Sequence, residues 1–335
     1  MAIAYAPRIL AMDDAELETF VNKWLDKKKS IYVHTERFSG SGDLGRDVVG
    51  YRSTKKLDGE WDNYQCKQFK TALLHVPAML AELAKILVHS ARGEYVLPEH
   101  YFFVAPRGLG REARKVLASP SKLKERLISD WDKSCASAVV GGEVIALDTS
   151  ILATIDKFKF ENVSAYDASK LLLDAHIMSA LVECFGADPG PPPAGVVPAN
   201  FDWTSSDADF ALQLLSLYSE EDSSISDRST AEGHPKFGPH LRDQFVRYFE
   251  ADAFKRHFRD NTPEAFVTRF EQDIHHGVSY TYQKAPPNTL ERVDAVTDKA
   301  GSLPIGGLLG GHAGTRAKQG ICHHLVNADE LQWKK

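Results

Sequence analysis

The chain has 335 residues, 43% of them apolar and 26% charged, and a formal net charge of −6, which is an ordinary soluble composition with room for two cores. No apolar run approaches the roughly 20 residues of a bilayer span, and residues 1–12 lack the basic start and long apolar stretch of a signal peptide, so a cytoplasmic protein with no membrane partner is expected. Four cysteines (Cys66, Cys135, Cys184 and Cys322) are scattered without CxxC pairing and suggest neither a disulfide framework nor a zinc ribbon.

Charge is unevenly spread. Residues 1–133 hold 22 Lys+Arg against 18 Asp+Glu, and the remainder 18 against 28. A front half that approaches phosphate and a back half that meets something else would suit that split.

In chain order, Leu17, Phe20, Val21 and Trp24 form one helical stripe over 14–27, opened by Asp13 or Asp14 as N-cap. Residues 30–38 read as a strand, 39–45 (SGSGDLG) as a glycine-punctuated turn, and 47–52 and 62–69 as two strands joined by the polar turn 53–60. A helix is expected over 76–92. A buried strand follows at 101–105 (YFFVA), stopped by Pro106 and Gly108, and then helices at 110–118 and 121–129, the latter capped by Ser119 or Ser121. This order predicts an α/β core with a mixed β-sheet flanked by helices. Residues 135–165 read as a strand-containing connector, 166–184 as a helix, and 187–206 (with DPGPPPAGVVPAN) as a linker or long loop. Helical patterns at 207–220, 240–258 and 263–276 precede a Gly-rich tail. The expected division is therefore 1–134, a connector 135–186, a linker 187–206 and a mainly helical region 207–335.

The chemistry concentrates in FSGSGDLGRDVVGYRSTKKLDGEWDNYQCKQF. Side chains alternate along a strand, so Gln65 and Lys67 share a face while Cys66 points the other way, and a tight hairpin sets Asp47 beside Gln65. A carboxylate, a neutral carbonyl oxygen and an ammonium then converge at one sheet edge. That set suits phosphodiester hydrolysis. Magnesium takes hard oxygen ligands, here Asp47 and the Gln65 carbonyl, and activates water, while Lys67 orients that water or stabilises developing charge.

The pattern GxGDxGRD followed by YQCK resembles the Mrr-like branch of the PD-(D/E)xK endonucleases, in which an aspartate precedes a QxK strand. The resemblance implies a restriction-endonuclease-like core, Mg2+ as cofactor with Mn2+ able to substitute, double-stranded DNA as substrate, and a further carboxylate from the helix before the sheet. Glu18 matches that position, with Glu36 the competing candidate; Glu82 and Lys85 on the following helix also stand to line the site. The whole chain, through WDNYQCKQF, FVAPRGLG, FRDNTPEAF and GICHHLVNADELQW, looks like the nuclease subunit of ABC-three-component (Lamassu-type) bacterial defence systems. That resemblance implies an SMC-like ATPase and a further small subunit as partners and a C-terminal region that docks onto the complex; the acidic, helical C-terminal half, which looks built for docking, adds the expectation of a homo-oligomer when active.

Other readings compete. Asp47 can be a turn residue and Lys67 a solvated strand lysine; a non-catalytic subunit that binds DNA or partners is the alternative function. Lys55, Lys56 and Arg107 are candidate phosphate contacts or plain surface charge. Gly40, Gly42 and Gly45 precede no GK[ST], and neither they nor residues 306–311 make a P-loop. Cys322, His323 and His324, even with His275 and His276, are poorly spaced for zinc and read as packed side chains. Of Phe245, Tyr248, Phe249, Phe254, Phe258 and Phe266, most are expected in a core and the excess on a partner surface.

Overall fold

Five short strands form one sheet in the order β1 (His34–Arg37), β2 (Val48–Tyr51), β3 (Trp61–Cys66), β4 (His100–Val104) and β5 (Val163–Tyr166) in the computed structural model, which describes residues 5–38, 40, 42–139, 141 and 143–334. Ser39 and Ser41 of the glycine-punctuated turn lie outside the described residues. The strand β3 pairs antiparallel with β2 on one side and parallel with β4 on the other, so the sheet is mixed, as its element order predicts. A parallel neighbour needs a crossover, and a helix supplies it.

The first of two compact units, Met1–Phe185, adds helices α1 (Tyr5–Ala11), α2 (Asp14–Leu25), α3 (Val76–Ala91), α4 (Arg111–Leu117), α5 (Pro120–Ser129), α6 (Thr149–Lys157), α7 (Ala168–Leu172) and α8 (Met178–Phe185). Asp13 opens α2 with a full capping box, its carboxylate accepting from the Glu16 amide at 2.8 Å. Every residue of β2 and β3 is buried because helices cover both faces of the sheet. Trp24 of α2 meets Tyr64 and Tyr166 edge-on at 5.7 and 5.1 Å, while Met79, Leu80, Leu83 and Leu87 of the crossover α3 share a core with Val49, Trp61, Tyr101 and Phe103. Strand alternation therefore turns Trp61, Asn63 and Gln65 toward α3, and Asp62, Tyr64 and Cys66 toward α2. Asp62 is fully buried, yet Arg52 (2.8 Å), His100 Nδ1 (3.0 Å) and the Tyr32 hydroxyl (2.7 Å) satisfy it and tie the β2–β3 hairpin to β4.

The first unit runs to Phe185, not to 134. Residues 163–166 supply β5, which pairs in parallel with β4 (Tyr101 opposite Val163), so the expected connector completes the sheet. The helix expected over 166–184 is split into α7 and α8. Between them Asp174 accepts locally from the His176 amide (2.9 Å) and turns inward to Trp24 Nε1 (3.0 Å) and Lys28 Nζ (2.7 Å), two contacts too distant in sequence to be read as a break.

The second unit, Gly186–Lys335, is helical: α9 (Asp209–Glu221), α10 (Arg228–Gly233), α11 (Phe237–Asn261), α12 (Glu264–Lys284), α13 (Leu290–Ser302), α14 (Gly307–His312) and α15 (Thr315–Asn327). The Gly-rich tail thus contains three helices. Its GICHH segment is the buried face of α15, where glycine is a contact surface instead of a breaker. A Cβ on Gly320 would stand 1.9 Å from the Arg247 carbonyl oxygen of α11, so the two backbones cross in contact there. Gly320→Ala is expected to destabilise this unit by roughly 2–4 kcal/mol, read as an earlier melting transition, because the obstruction is main chain and cannot swing away. The 187–206 stretch belongs to this unit: Gly195 lies against Phe249 and Glu250, and Phe201 and Trp203 pack on Phe245.

Phe245, Tyr248, Phe254 and Phe258 are core residues, Phe249 is partly buried and Phe266 is exposed. His323 is fully buried. Trp333 donates its indole N–H to Nδ1 (3.2 Å), and Nε2 faces the Gln244 side-chain oxygen (2.9 Å), so the ring is a neutral donor–acceptor whose pKa burial drives well down. Burial pushes the Cys322 thiol up to about 12. Among the described residues no helix is long and apolar enough to cross a membrane.

Candidate functional site

The site begins with a loop that only glycine can make. Gly45 has φ +84°, and a Cβ there would stand 2.8 Å from Lys85 Cβ, so the turn is pressed onto α3. The Asp43 carboxylate accepts from the Gly45 amide at 2.9 Å, and the Arg46 guanidinium stacks between Phe38 (4.3 Å) and Tyr95 (4.9 Å). The next residue, Asp47, enters β2 with its carbonyl accepting from the Phe38 amide.

The register that sets Val48 opposite Tyr64 sets Asp47 opposite Gln65. Asp47 is 7% exposed, and its Oδ2 accepts from Gln65 Nε2 and from the Cys66 amide, both at 2.7 Å. Among the described residues no hydrogen bond falls on Oδ1. Burial pushes this carboxyl up to about 7, against the pull of Lys67 and of the Cys66 N–H; the charges of Glu18 and Glu82 push the same way.

Lys67 follows β3, its amide donating to the Val104 carbonyl at 2.8 Å and its ammonium 2.9 Å from Glu82 Oε1. Glu82 also takes Lys85 at 3.1 Å. Burial works to lower the Lys67 pKa, but the Glu82 charge and hydrogen bond, followed by Asp47, leave it raised. Lys67 is therefore a lasting cation next to a carboxyl poised near neutrality.

The structure brings Asp47, Gln65, Lys67 and Glu82 together, and it places Glu18 close enough for its charge to act on Asp47. Glu18 itself is paired with Arg37 at 3.0 Å, whereas Glu36 accepts from the Tyr51 hydroxyl at 2.9 Å. Arg107 follows β4 and so lies off the same sheet end as Lys67, its Nε donating to the Phe69 carbonyl at 2.7 Å. Lys55 and Lys56 sit in the β2–β3 hairpin, at the other end of β2 from Asp47, roughly 13 Å or more away at 3.3 Å per residue. The same hairpin that joins Asp47 to Gln65 carries those two lysines away.

Two further buried polar residues beside the site belong to neither the GxGDxGRD nor the YQCK pattern. Tyr101, fully buried, has its hydroxyl 3.4 Å from Gln65 Oε1, and Asn63, also fully buried, lies on the same face of the sheet. The signal was available: a phenol inside an apolar strand and an amide two residues before Gln65, both needing partners.

The donors fit a hard divalent cation in a restricted way. Asp47 offers a buried carboxylate, and Gln65 an amide oxygen once that amide turns, since its nitrogen now faces Asp47. Among the described residues no group of three or more His, Cys, Asp or Glu stands together to hold a metal, so a cation would rest on one carboxylate, neutral oxygens, water and substrate.

Residues 207–333 match the family model of C-terminal domain 6 of the ABC-three component (ABC-3C) systems, which supports a place for this chain in such a system. No curated protein and no solved structure matches the chain.

Proposed function

We propose that this chain is the metal-dependent DNA endonuclease of an ABC-three component defence complex, of the PD-(D/E)xK kind and Lamassu-like. The observation that carries the reading is the buried Asp47 carboxylate bonded to Gln65, with the Lys67 ammonium held beside it by Glu82. These groups lie off the end of the sheet where the parallel strands β3 and β4 terminate, the usual position of sites in open α/β sheets.

Asp47 and the Gln65 carbonyl would hold Mg2+, or Mn2+ in its place. Bound there, the cation would polarise the scissile phosphate and lower the pKa of a water. Lys67, kept charged by Glu82, stabilises the negative charge that gathers on the phosphate in the transition state, and Arg107 contributes a phosphate contact. The helical second unit, acidic overall and matched to the ABC-3C domain, serves docking to an SMC-like ATPase and a further small subunit. A free nuclease endangers its own genome, so cutting both strands of DNA is expected to need two chains brought together.

Plasmid cleavage with MgCl2, with EDTA, and with Asp47→Ala tests this reading. Cutting by wild type that stops on chelation and in the variant supports it. Cation-independent cutting, or cutting undiminished in Asp47→Ala, overturns it. Wild type inactive at every concentration and with its partners added leaves a non-catalytic DNA-binding subunit, the reading favoured by the small number of acids gathered at the site. Light scattering across concentration tests the assembly: a monomer that cuts both strands at full rate would refute it.

A further inference from the structure

We propose that Asn63, Tyr101 and Gln65 form a reversible hydrogen-bond relay behind Asp47, in which Tyr101 is the positioning residue that turns the Gln65 carbonyl toward a bound cation. The inference rests on the metal-dependent reading above.

An ionised carboxylate only accepts, so Asp47 requires the amide nitrogen of Gln65 and receives it at 2.7 Å. The Gln65 oxygen must then face away, and there the Tyr101 hydroxyl donates to it at 3.4 Å. Burial raises the Tyr101 pKa far above its usual value, so the phenol stays neutral and keeps its proton to give.

The next member of the row is Asn63, which stands opposite Tyr101 in the parallel register of β3 and β4, on the face of the sheet that Gln65 shares. Asn63 is fully buried, its nitrogen reaches only the Gly45 carbonyl at 3.5 Å, and its Oδ1 has no partner. An acceptor without a donor thus sits beside a donor committed elsewhere, an arrangement that buried polar groups rarely leave standing without a use.

A half-turn of the Gln65 amide resolves it. The Gln65 oxygen then points to the Asp47 side, its nitrogen donates to the Tyr101 oxygen, and the Tyr101 proton passes round to the vacant Asn63 Oδ1. Every group in the row finds a partner, and only side-chain torsions move. The turned state sets two oxygens, of Gln65 and Asp47, against each other, which is favourable only with a cation between them. Each pattern is consistent within itself, and the two have opposite polarity. Tyr101 can serve both because a phenol donates and accepts.

Titration of the full chain with MnCl2 in a calorimeter tests the relay, with wild type, Tyr101→Phe, Asn63→Leu and Asp47→Ala. Asp47→Ala is expected to lose binding. Tyr101→Phe is expected to weaken it about tenfold, one buried hydrogen bond being lost from the bound pattern. Asn63→Leu is expected to weaken binding several-fold, while its melting temperature in EDTA stays level or rises, because the orphaned acceptor is gone. A merely structural pair would lower the melting temperature in EDTA and leave affinity unchanged. Wild-type binding with unchanged affinity in both relay variants overturns the relay alone. Absence of wild-type binding removes the metal site, and the relay with it.

Discussion

Without divalent cation at pH 8, Asp47→Asn is expected to melt at a higher temperature than the wild type, and on the proposed nuclease reading the same change is expected to abolish cleavage. The carboxyl is raised from 3.8 to about 7 by burial, so the folded chain binds this proton more tightly than the unfolded chain does. Its contribution is therefore most favourable below pH 4, is lost progressively as pH rises from about 4 to 7, and stays lost above 7. The difference between those values corresponds to a cost of roughly 4 kcal/mol at most once the group is ionised. Asparagine keeps an oxygen for the Cys66 amide and Gln65 and carries no charge. The gain should appear in the first unit's transition by calorimetry, shrink as pH falls below 7 and vanish near pH 4. Mg2+ should stabilise the wild type above pH 7, progressively less below it as protons compete, and the variant not at all. A variant that melts lower than wild type at pH 8 would show that the Asp47 charge is already compensated.

Lys67→Ala is expected to reduce cleavage by about three orders of magnitude, the scale on which removing a preorganised cation acts in a water-poor site. It should also destabilise the first unit, since Glu82 is 8% exposed and would be left with Lys85 alone. The two effects separate in the double variant Lys67→Ala with Glu82→Gln. Neutralising the stranded carboxylate should restore most of the melting temperature and none of the cleavage. Activity regained together with stability would mean that Lys67 is structural and the chemistry lies elsewhere.

The juxtaposition at the candidate site was largely legible because it is local. Asp47, Gln65 and Lys67 lie within 21 residues of one another on a single hairpin, and period-two alternation plus antiparallel register places them without any long-range knowledge. Tyr101 was not legible as a partner of Gln65, because the contact depends on β4 lying parallel to β3 in one register, a fact decided by the α3 crossover. Glu82 reads as a helix residue paired with Lys85; its hold on Lys67 exists only because α3 packs across the sheet.

The sequence by itself determined the α/β class, the capping of α2, the buried β4 and the hairpin that joins Asp47 to Gln65, since each follows from neighbours in the chain. Tertiary structure decided the rest. The strand β5 carries no strong local signal and is made a strand by the edge β4 offers it. The glycines of the C-terminal tail would break an isolated helix, but Gly320 is required where α15 crosses α11 backbone to backbone. The Asp47 pKa depends on water excluded by the helices and loops that cover the sheet, a property of the packed molecule that no single residue carries.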